Sequence, residues 1–277
     1  MKSGLSFLRG WSSGNQTYVH MRKKLSLSII SHGHHVHVAK LLQQLAELER
    51  SDFEVILTLN LPESVALENL PYAVKLIQNA TPKGFGANHN AAFLESTGDY
   101  FVILNPDIEL LEDPFGPLLE LAERDSLNIC APVIVDADGH IEDSARNFPT
   151  PYSLFKRLLC RLLGRPILPD TLRQDSDTVQ PDWVAGMFVM VARVNYERLG
   201  GFNDAYFLYF EDVEFGARAR LAGCHILVCK RARVIHQAQR DSHRRLRFMW
   251  WHVQSATKFF VSPAYLRVLI RRAAKAG

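Results

Sequence analysis

Asp99-Tyr-Phe-Val-Ile-Leu-Asn-Pro-Asp107 is the stretch on which the reading of the fold turns. Its centre, Tyr100 to Leu104, has the length and the aromatic and β-branched content of a strand buried on both faces. Pro106 cannot donate to a ladder, so the strand ends there and leaves Asn105 and Asp107 at its carboxyl edge. In open α/β sheets ligands bind outside the carboxyl ends of the strands, where a carboxylate can meet a hard cation and the phosphates that it neutralises. Taken alone, Asp107 fits a second role equally well, capping the helix expected near Pro114 or closing a turn.

Upstream of this strand the chain opens β-α-β. Leu25 to Ile30 alternates and then runs apolar, as a first strand does, and stops at Ser31-His32-Gly33-His34-His35. The four histidines between positions 32 and 37 sit on a loop and a helix start, with no carboxylate in the same stretch. A loop that touches a nucleotide base or ribose is therefore a better reading than a metal cluster. Leu41, Leu42, Leu45 and Leu48 recur at helical spacing, and Phe53 to Leu59 is the second strand. Asn60-Leu-Pro-Glu63 leaves it as a polar turn, a position that meets a nucleoside in doubly wound folds or simply closes the turn. After a third strand, Ala73 to Gln78, comes Lys83-Gly-Phe-Gly-Ala-Asn-His-Asn90. Its two glycines permit close backbone approach, a helix over 86–96 aims its amino end at the pocket, and Lys83 suits a diphosphate.

Downstream, Pro114 to Arg124 reads as a helix, Ile129 to Val135 as a strand and Tyr152 to Leu163 as a basic amphipathic helix. A Pro- and Asp-rich loop to about Pro181 reads as a lid, an acceptor-specificity element or a connector. Asp182 to Val191 is a strand interrupted by Gly186, where a missing side chain makes room against the backbone or marks a bulge. Tyr206-Phe-Leu-Tyr-Phe-Glu-Asp-Val-Glu-Phe215 then puts Glu211 and Asp212 at the start of a helix that runs to Leu221 and is closed by Gly223. One carboxylate can cap the helix and the other is then placed to take a proton. His225 to Cys229 and Ala232 to Ile235 read as two short strands, and His236 becomes a ligand candidate if it faces Asp107.

Composition bounds these readings. The chain has 277 residues, 47% hydrophobic and 22% charged, enough for one large α/β domain or two small ones. The net charge of +3 is asymmetric: residues 244–277 hold eight Lys or Arg and no acid, which leaves −5 for the rest. No apolar run approaches the ~20 residues of a bilayer span. Four cysteines without a CxxC pair suggest neither a zinc site nor a disulfide framework, and reduced thiols point to the cytoplasm. Residues 1–24 lack the apolar core of a signal peptide and read as a loose extension, with Met21 a second candidate start. In the basic tail, Arg244-Arg-Leu-Arg-Phe-Met-Trp-Trp251 and Leu266-Arg-Val-Leu-Ile-Arg-Arg272 mix cations with large apolar side chains. That pattern suits helices lying peripherally on a membrane, or helices packed on the domain with a solvated basic face. No nucleic-acid reading motif accompanies the cations, so no nucleic-acid partner is expected.

With Lys83 to Asn90, Leu104-Asn-Pro-Asp107, Trp183-Val-Ala-Gly186 and Tyr209-Phe-Glu-Asp-Val-Glu-Phe215 with Arg218 and Gly223, the chain resembles the family-2 nucleotide-sugar glycosyltransferases of the GT-A fold. Within them it resembles the bacterial rhamnosyltransferase-like branch, over roughly residues 25–242. The resemblance implies an α/β fold with a Rossmann-like, mixed, mostly parallel sheet flanked by helices. It implies a nucleotide-binding half (25–136), an acceptor half (137–242) and a basic helical segment (243–277). By position, Asp107 matches the last acid of the family's metal-binding Asp-x-Asp and His236 its later metal ligand, for Mg²⁺ or Mn²⁺. Asp212 matches the catalytic base, with Glu211 beside it on the acceptor side, where Trp183 is also expected. Ser31, His32 and Asn60 fall where the family holds the nucleoside, while Lys83, Gly84, Asn88, Asn105 and Gly186 fall near the donor sugar nucleotide. The chain departs where Ser31-His32-Gly33 and Leu59-Asn60 replace the usual strand endings, and where Asn105 replaces the first acid of Asp-x-Asp. The implied activity is inverting transfer of a sugar, rhamnose by resemblance, from a dTDP- or UDP-sugar to a glycan or lipid-linked saccharide in cell-surface polysaccharide synthesis. The rivals are a sugar nucleotidyltransferase, whose Gly-rich basic loop after the first strand is missing here, and a catalytically silent nucleotide-sugar-binding protein.

Overall fold

The computed structural model of the chain describes residues 24–164, 176–237 and 246–276. The element order is β1 (Leu25–Ser31), α1 (His35–Glu47), β2 (Phe53–Leu59), β3 (Ala73–Gln78), α2 (Phe85–Glu95), β4 (Tyr100–Leu104), β5 (Ile108–Leu110), α3 (Phe115–Arg124) and β6 (Asn128–Val135). It continues β7 (Ala145–Arg146), α4 (Pro151–Leu162), β8 (Thr178–Val179), β9 (Trp183–Val184), β10 (Phe188–Ala192), α5 (Arg193–Leu199), α6 (Glu211–Leu221), β11 (His225–His236), α7 (Leu246–Phe260) and α8 (Pro263–Ala276).

The main sheet runs β3-β2-β1-β4-β10-β6-β11-β5, with β8 also on β11. β3, β2, β1 and β4 are parallel, as are β6 and β11; β10 is antiparallel to both β4 and β6. Strands β2 and β6 are buried at every position, as expected of strands covered on both faces. One face packs on α1 and α3 through Leu41, Leu45, Phe115 and Leu118; the other packs on α2, α5 and α6 through Ala92, Tyr196 and Phe215. A third cluster joins Phe148, Trp183, Phe210 and Val213 to Phe259, Tyr265 and Val268. It fastens α7 and α8 to α6, so the C-terminal segment is packed structure rather than an appendage.

The β1-α1-β2-β3-α2-β4 half follows the sequence reading closely. Two expectations need correction. The strand predicted over 182–191 is two elements: β9 pairs with β7 in a separate ribbon, and only 188–192 enters the main sheet. The two short strands predicted at 225–235 are the single β11, with a register shift between Cys229 and Arg233. A bulge absorbs the irregularity that looked like a break. The predicted N-terminal extension before Lys24, most of the Pro- and Asp-rich loop and Arg244-Arg245 lie outside the described residues. Among the described residues, no helix is long and apolar enough to cross a membrane.

Candidate active site

Several of the predicted site elements meet at one edge of the sheet. β1 and β4 end there at Ser31 and Leu104, and β10, running the other way, starts there, with Phe188 opposite Leu104. Two backbone contacts tie the edge together: the Asn105 N–H donates to the Met187 carbonyl at 2.8 Å, and the Gly186 N–H donates to Asp212 Oδ2 at 3.2 Å. The Leu104-Asn-Pro-Asp107 turn and the carboxylate pair on α6, more than a hundred residues apart, thus share one short bridge.

Buried asparagines build the loop before α2. Asn60 Nδ2 donates to the Lys83 carbonyl at 2.9 Å, and Asn60 Oδ1 accepts the Lys83 N–H and Asn79 Nδ2, each at 2.8 Å. Asn79 Nδ2 also reaches Asn88 Oδ1 at 2.6 Å, and Asn88 Nδ2 donates to the Gly84 carbonyl at 3.0 Å. Ser31 Oγ accepts the His34 N–H at 3.1 Å at the start of α1. Ser31, Asn60 and Asn88 are buried, with these polar groups engaged inside the protein. Their side chains shape the loop, while His32, beside Asn60 Nδ2 at 3.1 Å, and Lys83 present exposed side chains. Gly84 sits where any Cβ would lie 2.7 Å from the Phe207 carbonyl oxygen, which lets the Phe85 N–H donate to that oxygen at 2.9 Å. Asn79 was not singled out in the sequence, though like Asn60 it is the first residue after a strand.

Asp107 and His236 meet because β5 pairs with β11, placing His236 opposite Ile108. His236 Nε2 lies 3.3 Å from Asp107 Oδ2, and on the far side of the ring Nδ1 lies 2.8 Å from Glu142 Oε2. Burial alone would lower the imidazole pKa; the hydrogen bonds with Asp107 and Glu142 outweigh it and lift it to about 9. Asp107 Oδ1 is buried and has no partner. An unpartnered carboxylate oxygen beside an imidazole nitrogen fits a divalent cation, and the Glu142 carboxylate behind the ring is the support that metal-bound histidines ordinarily have. Glu142 carries no local sequence signal. It arrives because the chain folds back after β6, with the Glu142 N–H donating to the Ile134 carbonyl at 2.9 Å. Asp136, Asp138 and His140 form a closer trio of ligand-type groups in that turn, but Asp136 Oδ1 accepts the Asp138 and His140 N–H groups and so closes the turn.

The carboxylate pair is aimed by strained backbone. Tyr209 and Phe210 have φ of 69° and 66°, left-handed values at non-glycine residues, immediately before α6. Phe210 is held there by the rings of His252 and Phe259, and Ser255 Oγ donates to the Leu208 carbonyl at 2.9 Å, so α7 braces the turn. Asp212 is half-buried against an apolar wall that includes Val184, Val189 and Phe215. Burial raises its pKa, opposed by the N–H groups of Gly186 and Val213 that donate to its two oxygens. Glu211 is only 5% exposed, Oε2 has no partner, and burial followed by repulsion from Asp212 pushes it well above the glutamate range. Glu211, which the resemblance places on the acceptor side, is thus a buried carboxyl whose surroundings favour the neutral form. Trp183, which the resemblance also places on the acceptor side, is buried, and its indole N–H donates to the Asn147 carbonyl at 3.1 Å. Arg146, 5.5 Å above the Trp183 ring, is the polar group on that side, and its charge favours ionised Asp212.

Two adjacent carboxyls thus have different surroundings, Glu211 buried where desolvation favours its neutral form and Asp212 bonded to two backbone N–H groups, and the Gly186–Asp212 and Met187–Asn105 hydrogen bonds link them to the turn that carries Asp107. Comparison with known proteins shows which family the chain belongs to. Rhamnosyltransferase WbbL of Escherichia coli is 27% identical over 250 residues, 86% of this chain and 93% of that protein. The N-acetylglucosaminyl-diphospho-decaprenol L-rhamnosyltransferase of Mycobacterium tuberculosis is 30% identical over 154 residues, and this chain spans 49% of its length. Among solved structures, GalNAc-T7 with UDP, GalNAc and Mn²⁺ shares the fold at TM-score 0.58 and 17% identity, over 77% of this chain and 43% of that one. The mannosyltransferase PcManGT of Pyrobaculum calidifontis with GDP-Man and Mn²⁺ shares it at TM-score 0.55 and 14% identity, over 92% and 70%. The profile of the family described as Glycosyl transferase family 2 matches residues 29–187, and the chain belongs to that family.

Proposed function

We propose that this glycosyltransferase moves a sugar with inversion from a nucleotide-diphosphate donor to a hydroxyl of a lipid-linked saccharide. The observation that carries the reading is the short bridge from Asn105 through Met187 and Gly186 to Asp212, which supports one pocket for the Asp107–His236 pair and the base. Asp212 takes the proton of the acceptor hydroxyl as its oxygen bonds to the anomeric carbon, and the bond from that carbon to the diphosphate breaks on the opposite face. Glu211, holding its own proton, keeps a second negative charge out of the site. Asp107 and His236 would hold Mg²⁺ or Mn²⁺, which supplies charge neutralisation for the departing diphosphate. The amino end of α2 and Lys83 add a fixed dipole and a cation on the donor side. Gly186 is a positioning residue, since its N–H orients Asp212, and Asn105 sets the register of the metal turn.

The names of the relatives support rhamnose as the sugar and a polyprenyl-diphosphate saccharide as the acceptor, with dTDP or UDP as the carrier. A cytoplasmic site of action, with the C-terminal helices against the membrane, follows from such an acceptor. Thermal-shift screening of UDP, GDP and dTDP and their sugars, with and without Mn²⁺, tests the donor side. A metal-dependent shift with one nucleotide class, followed by sugar transfer from that donor, is expected; no shift with any of them removes the reading.

A further inference from the structure

The C-terminal helices are not the only apolar and cationic elements on the acceptor side. α4 carries Tyr152, Phe155 and Leu159 at the spacing of one helix face, and these side chains are 75%, 64% and 45% exposed. Its other side reaches the third core cluster through Leu154, the cluster that contains Phe210 and Val213 and receives α7 and α8. Arg272 of α8 stacks 5.5 Å from the Phe148 ring, just before α4, and pairs with Asp182. α4, α7 and α8 therefore share one core cluster with α6, and the outer faces of α7 and α8 also carry bare apolar side chains, Trp250 at 67% and Ile270 at 68%.

Charge decides what covers these faces. Residues 151–164 hold Lys156, Arg157 and Arg161 without an acid, and residues 246–276 hold six Lys or Arg without an acid. Arg157 pairs with Asp143 and the exposed Arg272 with Asp182, and Lys156, Arg267 and Arg271 are exposed as well. A groove of about 250 Å³ between Leu221 and α8 is lined by Arg267, Ile270 and Arg271, two guanidinium groups beside an apolar side chain. Exposed aromatic and aliphatic side chains among cations, with no carboxylate on the same helices, complement an anionic lipid surface, where acyl chains take the former and headgroups the latter.

We infer that α4 is a membrane-docking helix, lying with α7 and α8 on an anionic bilayer so that the base on α6 opens toward the lipid surface. The inference deepens the proposed lipid-linked acceptor, but binding to lipid needs no sugar transfer and is measured apart from it. The whole protein is sedimented with vesicles of phosphatidylcholine, with and without phosphatidylglycerol, at low and high salt. The variants are Phe155→Ser/Leu159→Ser on α4, Trp250→Ser on α7, and Lys156→Glu, which keeps the apolar face in case the double variant fails to fold. The wild type is expected to sediment with the phosphatidylglycerol vesicles in a salt-sensitive way. The α4 double variant is expected to bind about tenfold more weakly or worse, Lys156→Glu and Trp250→Ser to bind more weakly than the wild type, and all three to keep the UDP- or dTDP-induced thermal shift. Equal partitioning of the wild type and both α4 variants overturns the assignment of α4. A wild type that ignores anionic vesicles, or one that is dimeric and becomes monomeric through the α4 substitutions, overturns the lipid surface itself.

Discussion

Replacing Glu211 by Gln removes an ionisable group from a place the fold keeps almost free of water. The side chain is 5% exposed, Oε2 has no hydrogen-bond partner, and burial together with the Asp212 charge holds the carboxyl well above its usual range. Below the ordinary glutamate pKa both folded and unfolded chains carry the proton, and Glu211 has no pH-dependent effect on stability. Above it the unfolded chain releases the proton and the folded chain keeps it, so stability falls by about 1.4 kcal/mol per pH unit until the folded carboxyl ionises. Glu211→Gln lacks this loss, and the Asp212 contribution largely cancels in the comparison. Urea denaturation of both proteins across roughly pH 4 to 8 reads the difference. The variant should gain on the wild type steadily with pH and then level off where Glu211 gives up its proton. Because Gln imitates the protonated acid, sugar transfer should persist within about tenfold, far less than the loss of a general base. Stability curves that stay parallel would show that Glu211 is ionised in the fold, and a collapse of activity would make it the proton acceptor.

Asp212→Asn should lower kcat by ~10²–10⁴ with donor affinity within a few fold, and unchanged turnover removes Asp212 from its role. Since the base must be ionised and burial raises its pKa, the wild-type kcat/KM should fall, as pH decreases, above the ordinary aspartate range; a limb at the ordinary value contradicts the site geometry. Glu142→Gln should weaken Mn²⁺ binding by ~10–100-fold in a titration followed by Mn²⁺ EPR, and unaltered affinity removes Glu142 from the support of His236. Gly84→Ala brings a Cβ to 2.7 Å from the Phe207 oxygen and 2.9 Å from its Cα, both backbone atoms that cannot swing away. Overpacking of ~1–3 kcal/mol and damage to the Phe85–Phe207 hydrogen bond, ~1 kcal/mol, should lower the denaturation midpoint and weaken nucleotide binding; a variant as stable as the wild type refutes the close approach.

Local pattern made the first half of the fold legible. Tyr100 to Leu104 is apolar throughout and Pro106 stops it, and the strands before it are equally plain. Asp107 and Asp212 stand out in the sequence for the same reason, since each follows an aromatic or β-branched run at an element boundary. The partnerships were harder to read. Glu142 reaches His236 only because β6 and β11 are parallel neighbours and the intervening turn doubles back. The buried amide network of Asn60, Asn79 and Asn88 that holds the Lys83 loop depends on three strand and helix ends at once, which no local pattern shows. Glu211 and Asp212 are adjacent in sequence, and only packing separates a carboxyl under the cleft from one facing it.

The left-handed turn at Tyr209 and Phe210 makes the far end of the polypeptide a condition of chemistry at its centre. Its buttress is α7, so an enzyme shortened at about residue 242 would have its carboxylates misdirected even against a small dissolved acceptor. Inactivity after such a deletion would report a collapsed support, whereas single exchanges on the outer faces of the same helices leave that support standing.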